Sequence, residues 1–206
     1  MRIVAWLTGI LTTIAAVAAV FVWSGVYNVA ADEPHWKATA QLLEVVRHRS
    51  LASRATGVAV PALDDAEMIQ GGAGNYDAMC AGCHLRPGLD GSEISAGLYP
   101  APPNLSRRRQ AEPARDYLAI KHGIKMTGMP AWGGSMEDRY IWGMVSLIRK
   151  LPDLSPAEYR ELVDASGGHS HGPSTDAPDE SGDTGADGQA GEKKTHVHAD
   201  GSEHKH

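Results

Sequence analysis

Cys80-Ala81-Gly82-Cys83-His84 is the stretch on which the reading of this 206-residue chain turns. It holds both cysteines of the sequence, three positions apart. One such pair cannot form a disulfide framework, and a zinc ribbon would need a second pair. A redox C-x-x-C belongs in a thioredoxin-like βαβ setting, which the surrounding sequence lacks. C-x-x-C followed at once by His is the pattern of c-type haem attachment. The two thiols add to the vinyl groups of one porphyrin edge as thioethers, so the distance between the vinyls dictates the spacing. His84 then falls under the iron as an axial ligand. The expectation is one covalent haem c.

Upstream, residues 3–31 carry no charge. The most apolar part, Ile3 to Val26, is long enough at ~1.5 Å per residue to span a hydrocarbon core of roughly 30 Å. Trp6 lies near one end, and Trp23 and Tyr27 near the other, as interfacial anchors would. A cleavable signal peptide has a shorter apolar region of about 7–15 residues, although a cut after Ala31 is chemically feasible. Length favours an uncleaved transmembrane anchor over residues 1–31. Arg2 is the only charge before the span, and Asp32-Glu33 follow it, so the positive-inside rule puts the N-terminus in the cytoplasm. Everything from Asp32 onward then lies on the periplasmic side of an inner membrane. Haem attachment to exported c-type cytochromes requires that side.

Between the anchor and the motif, Trp36 to about Ala55 reads as an amphipathic helix within a 32–63 segment that lies on the membrane or packs on the domain. Asp64-Asp65 suit a helix N-terminus for a run through Met68-Ile69 to Tyr76 and Cys80. Gly71, Gly72 and Gly74 would each cost about 1 kcal/mol inside that helix, which points to close helix–helix approach or a break. A Pro-rich loop follows His84. Pro113 to His122 reads as a short helix with Gly123 beyond its end. Ser135 with Asp138 predicts a capping box for a helix of about 137–150, with Ile141, Val145 and Ile148 on its apolar face. Ser155-Pro156-Ala157-Glu158 starts one more short helix. The globular part is therefore 64–166. It is too small for a large enzyme fold or two domains.

The tail, 167–206, has no Trp, Tyr, Phe, Leu, Ile or Met, and eight acidic residues against three lysines. It has nothing to bury and is expected to be disordered without a ligand. It holds six of the ten histidines, His169, His171, His196, His198, His204 and His206, as three His-x-His pairs. Imidazoles at that spacing chelate Cu²⁺, Ni²⁺ or Zn²⁺. The competing reading is a solubilising tail. The net charge of −6 leaves no basic surplus for nucleic acid. Arg107-Arg108-Arg109 is a local basic run that either offsets haem propionates, steers an acidic partner or is a solvated surface. His35, His48 and His122 read as structural or surface residues, and the paired carboxylates fit helix starts rather than acid/base catalysis.

Residues 64–152 resemble the class I cytochrome c family. The resemblance rests on a Gly/Tyr-bearing helix ending in C-x-x-C-H, a Pro-rich loop, Thr127-Gly128-Met129-Pro130-Ala131-Trp132, and a last helix bearing Trp142. It implies an all-α fold with the first and last helices crossing near the haem edge, Gly71, Gly74 and Tyr76 lying there opposite Trp142. It implies Met129 as the sixth iron ligand, with Met126 as a rival three positions away. A Pro carbonyl often accepts a hydrogen bond from the axial His in that family, and Pro87 is the candidate here. Gly25 to Ala31 with Glu33-Pro34-His35 resembles the start of membrane-anchored proteobacterial monohaem cytochromes.

The expected function is a respiratory-chain electron carrier rather than an enzyme. His/Met ligation leaves no open coordination position, which suits one-electron transfer. The partners would be a quinol-oxidising complex and a terminal oxidase or reductase. The alternative is a haem-containing metal-handling protein whose tail binds copper, nickel or zinc. A gas sensor or peroxidase would need an open sixth position, against which the Gly-Met-Pro segment argues.

Overall fold

The computed structural model describes residues 2–170, together with two short strands, 195–197 and 203–205. Residues 2–170 are all-helical. α1 (Arg2–Ser24) is about 34 Å long at 1.5 Å per residue. Its flanks are apolar and none of its residues is buried. The hydroxyls of Thr8, Thr12 and Thr13 donate to the carbonyls of Val4, Thr8 and Gly9, each at 2.9 Å. Those bonds satisfy the only polar side chains in the middle of the helix, as an apolar medium demands. α1 has the length and composition of a single-pass membrane anchor.

α2 (Lys37–Ala55) packs on α6 (Pro113–His122). α3 (Ala66–Met79) begins at Asp65, whose carboxylate accepts from Glu67 N (2.8 Å) and Met68 N (3.3 Å). α4 (Ala81–His84) is the single turn of the Cys motif, and α5 (Glu93–Gly97) a turn in the loop beyond it. α7 (Asp138–Lys150) is buried continuously from Ile141 to Ile148 and forms the spine of the core. A 3₁₀ turn, Leu151–Asp153, leads to α8 (Pro156–Ala165), where Ser155 and Glu158 form a reciprocal capping box.

The main helix packing is α3 against α7. Its contact is Gly72 on Gly143, where a Cβ on Gly72 would sit 2.1 Å from the Gly143 carbonyl oxygen. The two helices cross as expected, but the glycine at their contact is Gly72 rather than Gly71 or Gly74. Gly71 is exposed with nothing near it. Gly74 is needed elsewhere, because a Cβ there would meet Gly168 O at 2.2 Å. Trp142 lies away from the glycines and stacks on Tyr117 of α6, centroids 4.2 Å apart at 6°. α8 locks onto α3 through Tyr159, whose hydroxyl donates to Asp77 Oδ1 (2.9 Å) and whose ring meets Tyr76 edge-on.

Ser135 and Asp138 do not form a capping box. Glu137 stands at the N-cap with no side-chain capping bond. Asp138 is taken instead by Lys121 Nζ, at 2.7 and 3.0 Å, and that ammonium also donates to Tyr117 OH. A tie between α6 and α7 has displaced the local cap. Of the tail, residues 167–170 and two short strands are described, and the rest lies outside the described residues. Thr195–Val197 pairs antiparallel with Glu203–Lys205, placing His196 opposite His204. Thr and Val suit an extended backbone, although two strands alone are marginal in water.

Candidate haem site

The end of α3 builds one wall of an open cleft lined mainly by apolar side chains. Cys80 is the C-cap of α3, with its N–H donating to Tyr76 O at 2.8 Å. Cys83 N and His84 N then both donate to Cys80 O, at 3.1 and 2.7 Å. One helical turn therefore carries the whole motif, and positions i, i+3 and i+4 of a helix share a face. That is why Cys80, Cys83 and His84 all line the cleft. Burial, with Cys83 nearby, pushes the Cys80 thiol up to about 12. Cys80 rests against Met144 of α7, sulfur to sulfur 3.9 Å.

The turn stops at Leu85, which adopts φ 62°, ψ 179°. This conformation is strained for a side-chain-bearing residue, at roughly 1–3 kcal/mol. The buried Tyr76 hydroxyl holds it by donating to Leu85 O at 2.6 Å. The reversal brings the Pro-rich loop back over the motif. Leu105 N donates to His84 O (3.0 Å), and His84 Nδ1 donates to Pro103 O (3.0 Å). A carbonyl can only accept, so Nδ1 carries the proton and Nε2 keeps its lone pair for a metal. Burial holds the imidazolium below its usual range, more than the Pro103 bond raises it. The acceptor is Pro103 rather than Pro87, which lies in the turn immediately after His84, before the chain has come back over the ring.

Another part of the lining comes from 124–132. Thr127 Oγ1 donates to Ile124 O (2.7 Å) and accepts from Met129 N (3.1 Å). Ile124 N donates to Met129 O (3.3 Å), and Trp132 N to Ile120 O (3.1 Å). Gly123, at φ 64°, leaves room for this loop, since a side chain there would press on Met129 O at 2.8 Å. The result points Met129 into the cleft lining and leaves Met126 outside it, 70% exposed. Of the two rival methionines, only Met129 lines the same cleft as His84.

Two charged residues in the lining had no part in the expected site. Arg47 reaches the cleft from α2. Asp116 lies there on α6, and its Oδ2 has no hydrogen-bond partner among the described residues. Burial first, and then Glu112, raise its carboxyl to about 6, against Arg108 and Arg149. The signal for Asp116 was present in the sequence. It shares helical spacing with Ala119 and Ile120, an acid on an apolar face. Arg107 and Arg109 are not in the cleft. They pair with Asp90 and Asp153 on the surface. His35 bonds Tyr27 OH through Nδ1 (2.8 Å), and His48 lies 3.7 Å from Glu44. Of the tail histidines, His169 is described, His196 and His204 are described in backbone only, and His171, His198 and His206 lie outside the described residues.

A largely apolar cleft lined by two thiols, a Nδ1-bonded imidazole and a thioether suits a porphyrin. The helical arrangement and this cleft are those of a cytochrome c-type domain, and such a domain implies haem c. Residues 67–148 match the family model described as cytochrome C oxidase, cbb3-type, subunit III. No curated protein and no solved structure matches.

The orphan carboxylate yields a prediction. A carboxylate in the cleft favours the oxidised, more positive iron, so the oxidised form binds the Asp116 proton less tightly than the reduced form. Between the Asp116 pKa values of the oxidised and reduced forms, the reduction potential falls as pH rises. Asp116→Asn is expected to flatten that slope and raise the potential at pH 7 in a potentiometric titration. A wild-type slope retained in the variant would assign it to another group.

Proposed function

We propose that this chain is a membrane-anchored monohaem c-type cytochrome carrying single electrons on the periplasmic side, between a quinol-oxidising complex and a terminal oxidase or reductase. The observation that supports this reading is that Cys80, Cys83, His84 and Met129 all line one cleft. Cys80 and Cys83 would attach the cofactor covalently, and His84 and Met129 would ligate its iron. When bound, the haem supplies a one-electron iron couple, and Met ligation favours the reduced state.

The chain's own residues do the rest. Pro103 fixes the ring plane and tautomer of His84. Thr127 and Ile124 fix the Met129 loop through its backbone, so the ligand geometry changes little with the charge on the iron. Cleft walls from Leu98, Ile120 and Ile148 exclude water. A filled sixth position leaves no place for substrate, which favours carrier over catalyst. The family model is described as a subunit of a terminal oxidase, which supports partners of that kind here. The apolar span of α1 supports a bilayer-held carrier, whose search for partners is confined to two dimensions.

The test is the optical spectrum of the membrane-extracted protein, ferric and ferrous, with and without carbon monoxide. A far-red sulfur-to-iron charge-transfer band and no response to carbon monoxide are expected. A missing band with ready carbon monoxide binding would sink the electron-carrier reading and favour sensing or catalysis.

A further inference from the structure

The apolar residues of α2 are not all spent on the domain. Arg47, Leu51 and Ala55 turn inward, to the cleft and the core. Leu42, Val45 and Val46 are 64%, 56% and 55% exposed. Their i, i+3, i+4 spacing gathers them into one outward stripe. The stripe occupies only the N-terminal half of the helix. One turn further on, the same line of the surface continues as Arg49 and Ser53. The other exposed flank is polar, with Lys37, Gln41, Glu44 and His48.

What lies next to the apolar half is given by the start of the helix. Trp36, the residue before α2, meets Phe21 in the last turns of α1 (centroids 6.0 Å) and Tyr27 (5.0 Å). The stripe therefore starts where the membrane span stops. α2 itself packs on α6 and not along α1 among the described residues. α2 carries Lys37, Arg47, Arg49 and Arg54 against Glu44 alone, the sign that suits anionic headgroups. From the same point the chain is tied to the cleft. His35, bonded to Tyr27, donates its backbone N–H to Tyr99 OH (3.1 Å), and Tyr99 precedes the cleft-lining Pro100.

We infer that the N-terminal half of α2 lies in the lipid–water interface of the bilayer, with Leu42, Val45 and Val46 immersed, so that the haem cleft is docked at a fixed height above the membrane instead of swinging on a tether. This rests on α1 being the membrane anchor. The occupant is the bilayer surface itself, reached by the leaflet face where α1 ends. The His35–Tyr99 link and the Arg47 contact then transmit that placement to the cleft walls.

The experiment uses the full-length holoprotein in nanodiscs of phosphatidylethanolamine and phosphatidylglycerol. Nitroxide labels are placed singly by Leu42→Cys, Val45→Cys, Val46→Cys, Glu44→Cys and, in α1, Leu11→Cys. Unsubstituted protein serves as the labelling blank. Collision with oxygen, which enriches in lipid, is compared with collision with a water-soluble nickel chelate. The expected oxygen-to-nickel ratio at 42, 45 and 46 is several-fold above that at 44 and approaches that at 11. Stripe labels as nickel-accessible as position 44, with position 11 in lipid, would overturn the inference. The anchor would then stand, and the stripe would be left to a protein partner. Position 11 equally open to nickel would overturn the anchor and the inference together.

Discussion

Met129→Ala is expected to lower the reduction potential by more than ~100 mV, because axial-ligand choice moves haem potentials over roughly 0.8 V. The same variant should bind carbon monoxide in the ferrous state and lose the far-red charge-transfer band. The physical reason is that Met129 lines the cleft with His84, in a loop held by Thr127 and Ile124 rather than by the methionine side chain. Removing the thioether should therefore leave the loop in place and the coordination position empty. Met126→Ala is the matched control. Its side chain projects outside the cleft at φ 62°, so potential and spectrum should stay as in the unsubstituted protein. If Met126→Ala lowers the potential and Met129→Ala does not, the ligand assignment is wrong and the 124–132 loop must rearrange around the cofactor.

What was legible in the sequence and what was not divides along a physical line. Elements set by local rules were readable. Asp65 caps α3, Ser155 and Glu158 close a capping box, and Pro113 and Gly123 bracket α6. The haem motif was readable because its spacing is imposed by one covalent chemistry on one helical turn. Partners set by the return of the chain were not readable. Pro87 and Pro103 are both prolines after the motif, and only the reversal at Leu85, held by Tyr76, decides which carbonyl meets His84. Asp138 looked like half of a cap, but Lys121, 17 residues earlier, claims it across an interhelical gap. Gly71, Gly72 and Gly74 are alike to any local rule. Which of them touches α7 depends on the rotation of α3, and a turn of 100° per residue separates the exposed Gly71 from the buried Gly72.

That rotation makes the three glycines a decisive pair of substitutions. Gly→Ala in a helix interior ordinarily stabilises by about 1 kcal/mol. Gly71→Ala should do so, since its new methyl meets nothing within 4 Å. Gly72→Ala should reverse the sign. Its Cβ would lie 2.1 Å from Gly143 O, 2.3 Å from Gly143 C and 2.9 Å from Met144 N, all backbone atoms that no rotamer change can move. α3 and α7 must separate by more than an ångström, and overpacking of this kind costs typically ~1–3 kcal/mol, occasionally more. For a domain of this size each kcal/mol is worth about 4–8 °C, so the two variants should differ in Tm by roughly 10 °C or more. The movement also reaches the site, because Met144 packs on Cys80 and Ile148 lines the cleft from the same helix. Gly72→Ala should thus shift the Soret spectrum or lower haem incorporation as well as Tm, while Gly71→Ala changes neither. Equal stability for the two alanine variants would mean that α3 and α7 do not approach through Gly72 and Gly143, and the back wall of the cleft would have to be rebuilt around a different crossing.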